Sequence, residues 1–595
     1  MKALARLNKY FFRYRGHLVL GILFVVLQNF GAIYPAQVVR ESLDQVINHL
    51  KNNPLSGSSD YITALVFRFF LLIIGVAFLR GLLMFLMRQT IIVMSRRIEY
   101  DMKNEIYEQY QRLSLSFYRR NNTGDMMNRI SEDVGRVRSY FGPAVMYSIN
   151  LVVLFILITV SMFNVNPTLT LYVLAPLPLL SISIYYVSEI MNRKSEQVQE
   201  QQSRLSTFVQ EAFSGIRILK SFSKEEAFTK EFADESQDYL KKNMSLVRVN
   251  ALFYPLMLLL VGISTVLVVY IGGKEVLAGR ATTGNIAEFI LYVNMLTWPV
   301  ASLGWVTAII QRAAASQQRI NEFLELAPEI YSEATTEIGF SGTIEFRNVS
   351  FVYPDSGIKA LDEVSFQLPA GSSLAIIGRT GSGKSTVAQL LLRMYDVTSG
   401  EILIDGHPIR NIPLSQLREK IGYVPQDVFL FSDSIANNIA FGLHDTITES
   451  VREQKILEAA TAAVIAENIR EFPAGFETML GERGITLSGG QKQRVSIARA
   501  LIRNPKVLIF DDCLSAVDTA TEEQILSNLK SATSSVTSIM ISHRVSGIKQ
   551  AAQILLLDHG KIIEQGSHLS LLKQKGAYYA LYEKQLLEIA ESSAS

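Results

Sequence analysis

Six long apolar stretches in the first half of the chain constrain its fold more than any other feature. They lie near residues 17–39, 62–87, 143–163, 168–190, 250–272 and 285–311. Each is long enough to cross the hydrocarbon core of a bilayer, which takes about 20 residues of α-helix. Hydrophobic residues make up 49% of the 595-residue chain, a high share for a purely soluble protein. The sequence therefore predicts a multi-pass integral membrane protein in contact with membrane lipids.

Basic residues between the spans predict the side of the membrane on which each segment lies. Before the first span the chain carries basic and no acidic side chains, at Lys2, Arg6, Lys9, Arg13 and Arg15. The connections after the second and fourth spans are also rich in Lys and Arg, whereas 40–61, 164–167 and 273–284 contain few. Because cytoplasmic loops carry the excess of basic residues, the N-terminus is predicted to lie in the cytoplasm. Six is an even number of spans, so the second half of the chain is expected there too.

Two of the predicted membrane helices continue beyond the bilayer. Residues 88–116 and 191–213 are polar but contain no Gly or Pro, so helix is expected to persist through them. A helix over 62–115 would be roughly 80 Å long. Short amphipathic pieces near 114–122 and 211–219 lie beside Gly-containing breaks. They are predicted to be transverse helices that contact a partner domain, and ordinary solvated connectors are the alternative.

The texture of the sequence changes near residue 341, where the apolar runs shorten to strand length. The predicted organisation is a membrane domain over 1–320, a linker over 321–341, a second domain over 342–582 and a tail over 583–595.

The second domain contains a phosphate-binding loop, since the apolar run SSLAIIG leads into GRTGSGKST and then into helical sequence. Its members are Gly378, Arg379, Thr380, Gly381, Ser382, Gly383, Lys384, Ser385 and Thr386. Glycines let the backbone N–H groups point at phosphate oxygens, Lys384 adds a positive charge, and Ser385 offers a hydroxyl to Mg²⁺.

A second anion site is predicted at LSGGQ, residues 487–491, which opens another helical run. Ser488 and the N–H groups of Gly489 and Gly490 would face the anion. One chain with two phosphate sites suggests a head-to-tail dimer, in which each ATP lies between the loop of one chain and the LSGGQ of the other.

Further motifs follow the loop in order: GYVPQDVFLF (422–431), LSGGQ, VLIFDDCLSAVD (507–518) and SIMISHRVS (538–546). With these motifs the chain resembles an ATP-binding cassette exporter of the multidrug and lipid exporter type, as a half-transporter. The resemblance implies an α-helical six-span membrane domain followed by an α/β P-loop NTPase cassette. It implies an ATPase that exports or flips a hydrophobic or amphipathic substrate, a drug or a lipid, across a bacterial inner membrane. The net charge of only +2 gives no indication of a nucleic-acid partner.

The resemblance also implies roles for individual residues. Tyr353 would stack on adenine, Ser488, Gly489, Gly490 and Gln491 would bind ATP in trans, and Asp518 would lie in a loop at the dimer interface. Mg²⁺ would be held by Ser385, Gln426 and Asp511, and His543 would contact the γ-phosphate. A tyrosine at a strand end and a core or surface histidine are the ordinary alternatives for Tyr353 and His543. The segments 114–122 and 211–219 would be the coupling helices that dock on the cassettes.

One position departs from the family pattern, since Asp512 stands where the family has Glu. The catalytic set would be Asp512, His543 and Gln426, with a base whose stem is shorter by one methylene. Two assemblies follow: a homodimer with two such sites, or a heterodimer whose partner supplies the faster site. An ATP-gated channel or regulatory protein with little transport is the alternative function.

Several residues have no assigned role. Arg68 and Arg80 lie within a span and would line a polar path, snorkel or pair structurally. The span aromatics would line a substrate cavity or face lipid and pack; they are Phe30, Tyr34, Tyr254, Tyr292 and Trp298. Cys513, the single cysteine, is expected to be a small packed residue rather than a redox group.

Overall fold

The computed structural model divides into two compact units. The first comprises Met1–Gln111 and Gly124–Leu326, and the second comprises Arg112–Thr123 and Ala327–Ser595. A short stretch between two membrane helices therefore belongs with the C-terminal half. The structure describes residues 2–52, 59–332, 334, 336–443, 447–481, 484, 487–513, 521, 524–525, 527–528, 536–545 and 547–594.

The N-terminal half is helical. A 3₁₀ turn at Lys2–Leu7 precedes α1 (Asn8–Arg13), α2 (Arg15–Asn52), α3 (Ser59–Arg112), α4 (Leu115–Arg120), α5 (Thr123–Asn128), α6 (Val134–Ser139), α7 (Val145–Val165), α8 (Pro167–Leu174), α9 (Pro176–Ser214), α10 (Ile216–Ser221), α11 (Glu225–Leu277) and α12 (Thr283–Leu324). Single π-helical turns at Arg129–Asp133 and Tyr140–Ala144 join α5, α6 and α7. With 54 residues, α3 is about 80 Å long. The helix predicted to persist through 88–116 and 191–213 is present, as α3 to Arg112 and as α9 to Ser214.

Within the described residues, five helical segments are long and apolar enough to span a membrane: Arg15–Lys51, Asp60–Arg112, Thr123–Val165, Glu225–Leu277 and Thr283–Leu324. The predicted span 168–190 is also helical but is divided, because α8 ends at Leu174 and α9 begins at Pro176. Proline has no N–H to donate and favours the first position of a helix. The helical membrane half of the predicted fold is confirmed, with this one span split at a proline.

Several polar side chains inside the first unit are paired. Arg40 contacts the fully buried Glu288 at 3.2 Å, and the hydroxyl of Tyr292 donates to Glu288 at 2.9 Å. Gln28 and Asn29 donate to Asn150 Oδ1 at 2.9 and 3.0 Å. Pairing of this kind is required where no water can satisfy a polar group.

The residues left without a role fall into two groups. Tyr292 is fully buried and packs in the helical core with Phe289 and Ile158, so it is a packing residue. Phe30, Tyr34 and Trp298 are exposed, as are Arg68 and Arg80. The side chain of Tyr254 lies outside the described part of the structure.

The second unit contains two sheets. Their strands are β1 (Ile344–Val352), β2 (Lys359–Leu368), β3 (Ser373–Gly378), β4 (Ser399–Ile404), β5 (His407–Pro408), β6 (Ile421–Val424), β7 (Val507–Asp511), β8 (Thr537–Ser542), β9 (Gln553–Asp558) and β10 (Lys561–Gly566). One sheet has the order β2-β1-β4-β5 and is antiparallel. The other has the order β10-β9-β3-β8-β7-β6 and is parallel except at β10. Its strands β3 and β7 are buried almost throughout, as continuous apolar runs in parallel sheets are.

Helices complete the second unit. They are α13 (Lys384–Leu391), α14 (Leu414–Lys420), α15 (Ile435–Ala440), α16 (Glu449–Ala462), α17 (Ala466–Arg470), α18 (Gly489–Leu501), α19 (His568–Gln574) and α20 (Ala577–Ala594). One core joins the two sheets and α13, and another joins α15 to α18 with β6 and β7. Cys513 is 1% exposed in the second core, which confirms that it is a packed residue. The predicted α/β cassette is also confirmed.

Candidate functional site

Four neighbouring parallel strands end at one edge of the larger sheet. Gly378 ends β3, Asp511 ends β7, and the loops after β6 and β8 carry Gln426 and His543. Ligands of open α/β sheets bind outside the carboxyl ends of the strands. The topology therefore brings together motifs that are separated by more than a hundred residues in the sequence.

The loop between β3 and α13 requires glycine at two positions. A Cβ on Gly378 would lie 2.1 Å from the carbonyl oxygen of Leu557, and one on Gly383 would lie 2.3 Å from that of Ala360. Gly383 also has a φ of +99°, in the left-handed region that favours glycine. As the N-cap of α13 it offers no side-chain cap, so the first N–H groups of this helix are free to bind an anion.

Two polar side chains of the loop fit a phosphate. Ser382 is 3% exposed, and its Oγ has no hydrogen-bond partner among the described residues. Lys384 is 6% exposed and donates to the carbonyl oxygens of Gly378 and Arg379, both at 2.9 Å. Burial lowers the pKa of Lys384, and the charges of Asp512 and Asp511 oppose that shift. A phosphate would give the hydroxyl a partner and the ammonium a counter-charge.

The other members of the loop complete the cradle. The N–H of Ser382 donates to the carbonyl of Arg379 at 3.1 Å, which closes the turn. Thr380 and Gly381 are exposed at its tip, and Gly381 has a φ of +81°. Thr386 is buried on the first turn of α13.

Asp511 is held by two hydroxyl groups. Ser385 Oγ donates to Asp511 Oδ1 at 2.8 Å, and Tyr423 donates to Oδ2 at 3.3 Å. Burial raises the pKa of Asp511, and these two hydrogen bonds oppose the increase. The sequence did not single out Tyr423, because only the pairing of β6 with β7 brings its ring beside the carboxylate. Ser385 and Asp511, two predicted metal ligands, are in direct contact.

Asp512 occupies an unusual backbone conformation. Its φ is +47°, in the left-handed region, and its N–H donates to the carbonyl of Ile541 on β8 at 2.8 Å. Asp is among the residues that tolerate this region, because its short side chain bonds locally. The amide of Gln426 donates to Asp512 Oδ2 at 3.4 Å. The structure therefore brings together Asp512, the predicted base, and Gln426, a predicted metal ligand.

Tyr353 follows β1 and lies against α13. Its hydroxyl contacts Thr386 Oγ1 at 3.0 Å and donates to Gln389 Oε1 at 3.1 Å. The ring is half-buried, and the guanidinium of Arg119 lies 5.1 Å from its centroid. The position beside the phosphate loop suits an aromatic platform for a base. The sequence did not indicate that Arg119 lies there.

The LSGGQ segment forms the start of α18. Ser488 is its N-cap and makes a reciprocal capping box with Gln491, with N···O distances of 3.3 and 3.0 Å. Gly489 and Gly490 are the first two helical residues. Within one chain, no hydrogen bond or ion pair joins residues 378–386 to residues 487–491, all of which the structure describes.

Two predicted residues complete the account. His543 directly follows β8, at the same sheet edge, and its carbonyl accepts a hydrogen bond from Gln585 at 2.7 Å. Asp518 lies outside the described residues.

A phosphate-binding loop at the sheet edge and a helical membrane half in one chain define an ATP-binding membrane transporter. The family model for the ABC transporter transmembrane region matches residues 18–300, and that for the ABC transporter matches residues 361–515. The chain belongs to the ATP-binding cassette transporters. It is an integral membrane protein that binds ATP and couples ATP hydrolysis to transport.

Similar proteins extend over nearly the whole chain. It is 33% identical to the multidrug resistance-like ATP-binding protein MdlA of Escherichia coli (strain K12), over 100% of this chain and 98% of that protein. It is 36% identical to an ATP-dependent lipid A-core flippase of Syntrophus aciditrophicus (strain SB), over 83% of this chain and 81% of the flippase. A solved bacterial Atm1-family ABC exporter with ATP bound is 27% identical, with a TM-score of 0.78 over 96% of this chain and 98% of that one.

Proposed function

We propose that this chain is one half of a dimeric exporter that uses ATP to move a hydrophobic or amphipathic compound, a drug or a lipid, out of the cytoplasmic side of a bacterial inner membrane. The observation that carries the proposal is the convergence of Lys384, Asp511 and Asp512 at one sheet edge in a chain with membrane-spanning helices. The multidrug and lipid A-core names of the relatives support the substrate class.

The dimer rests on two surfaces that a single chain leaves exposed. Ser488 and Gln491 bond to each other and make no hydrogen bond or ion pair with the phosphate loop of their own chain, all of which the structure describes. Around α10, Phe213 and Phe222 are each 72% exposed and Ile218 is 66% exposed. Exposed apolar side chains of this size mark interaction sites. A second half-transporter, identical or different, would cover this transverse helix with its cassette and complete the ATP site with its own LSGGQ.

The chemistry assigns each residue a step. Ser385, Gln426 and Asp511 would hold Mg²⁺, which when bound neutralises charge on the phosphates. Lys384 would exchange its carbonyl partners for phosphate oxygens. Asp512 would accept a proton from the attacking water, Gln426 would orient it, and His543 would contact the γ-phosphate. Tyr353 would stack on the adenine.

Transport in membrane vesicles tests this function. Inside-out vesicles that contain the chain should take up a fluorescent phospholipid analogue or a lipophilic dye when MgATP is added. Vesicles with Lys384→Ala should not, although the protein is present in equal amount. Uptake that persists with a non-hydrolysable ATP analogue and only runs down a gradient would contradict export and indicate a channel.

A further inference from the structure

Arg119 joins the first transverse helix to the predicted base platform. It lies on α4, which groups with the C-terminal unit although its neighbours in sequence are membrane helices. Its guanidinium lies 5.1 Å from the centroid of Tyr353, and its Nη1 donates to the hydroxyl of Tyr395 at 3.3 Å. Tyr395 is 5% exposed and meets Tyr353 edge to face, with centroids 5.6 Å apart. One cation therefore contacts two packed tyrosines.

Contacts with α13 and with Phe351 restrict the position of the Tyr353 ring. Its hydroxyl is bonded to Thr386 and Gln389 on α13, the helix that follows the phosphate loop. Phe351 packs edge-on against the ring at 4.9 Å. The ring has little freedom to move away from Arg119, so a base that stacks on Tyr353 must either share the ring with the guanidinium or displace it.

We propose that Arg119 is a positioning residue of the base site, through which stacking of adenine on Tyr353 is transmitted to α4. The inference rests on the proposed role of Tyr353. A purine over the ring removes water from the cation, and a desolvated cation–π contact is stronger than an exposed one. Base occupancy thereby tightens the attachment of α4 to the cassette. The nucleotide would then fix one of the elements that link the cassette to the membrane helices in the chain.

Binding measurements in the Asp512→Asn background test whether Arg119 contributes to binding of the base. Arg119→Ala should weaken MgATP binding about threefold to tenfold, whereas Arg119→Lys should retain most of it. Binding of inorganic tripolyphosphate, which has no base, should be unchanged. Arg120→Ala is the matched control, since Arg120 lies on the same helix but pairs with Glu329 at 3.4 Å. Its ATP affinity should stay within about twofold.

A double-mutant cycle distinguishes the proposed role of Tyr353 as the adenine platform from that of Arg119 as a positioning residue. Tyr353→Leu should weaken ATP binding, and Arg119→Ala should then add nothing. If Tyr353→Leu leaves ATP affinity intact, the adenine platform itself is wrong. If Tyr353→Leu weakens binding but Arg119→Ala has no effect or adds in full, only the role of Arg119 is wrong.

A spin label reports on α4 directly. Because Cys513, the single cysteine, is buried, Asn122→Cys just beyond α4 can be labelled selectively. ATP should reduce the mobility of the label, and tripolyphosphate should not. The same result in Arg119→Ala would overturn the proposal.

Discussion

Replacing Asp512 by Glu tests whether the reach of the carboxylate limits hydrolysis. The bond from Gln426 Nε2 to Asp512 Oδ2 is long, at 3.4 Å. One added methylene extends the carboxylate by about 1.5 Å. A general base works within about 2.6–3.2 Å of its proton, and a misplacement of about 1 Å costs on the order of 100-fold. We therefore expect Asp512→Glu to raise kcat by about tenfold to 100-fold.

The backbone conformation at position 512 makes the same Asp512→Glu substitution unfavourable for stability. Asp512 has a φ of +47°, and residues other than Gly, Asn and Asp lose about 1–2 kcal/mol in this region. Asp512→Glu should therefore lower the thermal unfolding temperature slightly while it raises the rate. Asp558→Glu, at the end of β9, makes the same one-methylene change elsewhere on the sheet and serves as the control.

ATP turnover in lipid nanodiscs is the assay, with Lys384→Ala as the background. Asp512→Asn should reduce kcat by at least about 100-fold, because it removes the base. If Asp512→Asn keeps the wild-type rate, Asp512 is not the base. If Asp512→Glu is monodisperse and no faster, reach is not the limit.

Two other perturbations follow from the hydrogen bonds. The hydroxyl of Tyr423 stabilises the ionised form of Asp511, so Tyr423→Phe should raise the pKa of Asp511 further above its usual range. The acid limb of MgATP binding should move to higher pH, as calorimetry at several pH values would show; an unchanged limb would contradict either the stabilisation of Asp511 by Tyr423 or the role of Asp511 in metal binding. Glu288→Leu leaves Arg40 without its buried partner and should cost about 2 kcal/mol of unfolding free energy. The cost should appear in thermal unfolding in detergent, whereas Glu41→Leu, which removes the exposed partner of Arg40 at 3.4 Å, should cost almost nothing. Equal costs for Glu288→Leu and Glu41→Leu would contradict the expectation that loss of the buried partner of Arg40 is the more destabilising change.

Local sequence patterns predicted the secondary-structure elements, but they could not predict contacts between residues that lie far apart in the chain. The apolar run 372–378 and the glycines after it identify β3 and its loop, because strand periodicity and glycine freedom are properties of adjacent residues. The contact of Tyr423 with Asp511 depends on strand order and register, which neither segment encodes alone. The contact of Arg119 with Tyr353 joins positions on different elements, with no signal in either motif. Pro176 is visible in the sequence, but it lies within a long hydrophobic run, which predicted one continuous span in place of α8 and α9.

Several predicted site side chains are bonded to one another or to the phosphate loop, and these bonds determine how ATP binding is favoured. Lys384 contacts two carbonyls, Ser385 contacts Asp511, and Gln426 contacts Asp512. The same donors are the ones proposed to face phosphate, metal and water. Binding would therefore exchange hydrogen-bond partners instead of exposing unpaired buried groups, whose desolvation costs about 1–3 kcal/mol each. Ser382 Oγ is the exception, since it is buried without a partner among the described residues and gains a bond outright. The loop is thus built so that phosphate binding improves the hydrogen bonding of the site at Ser382 and preserves it elsewhere.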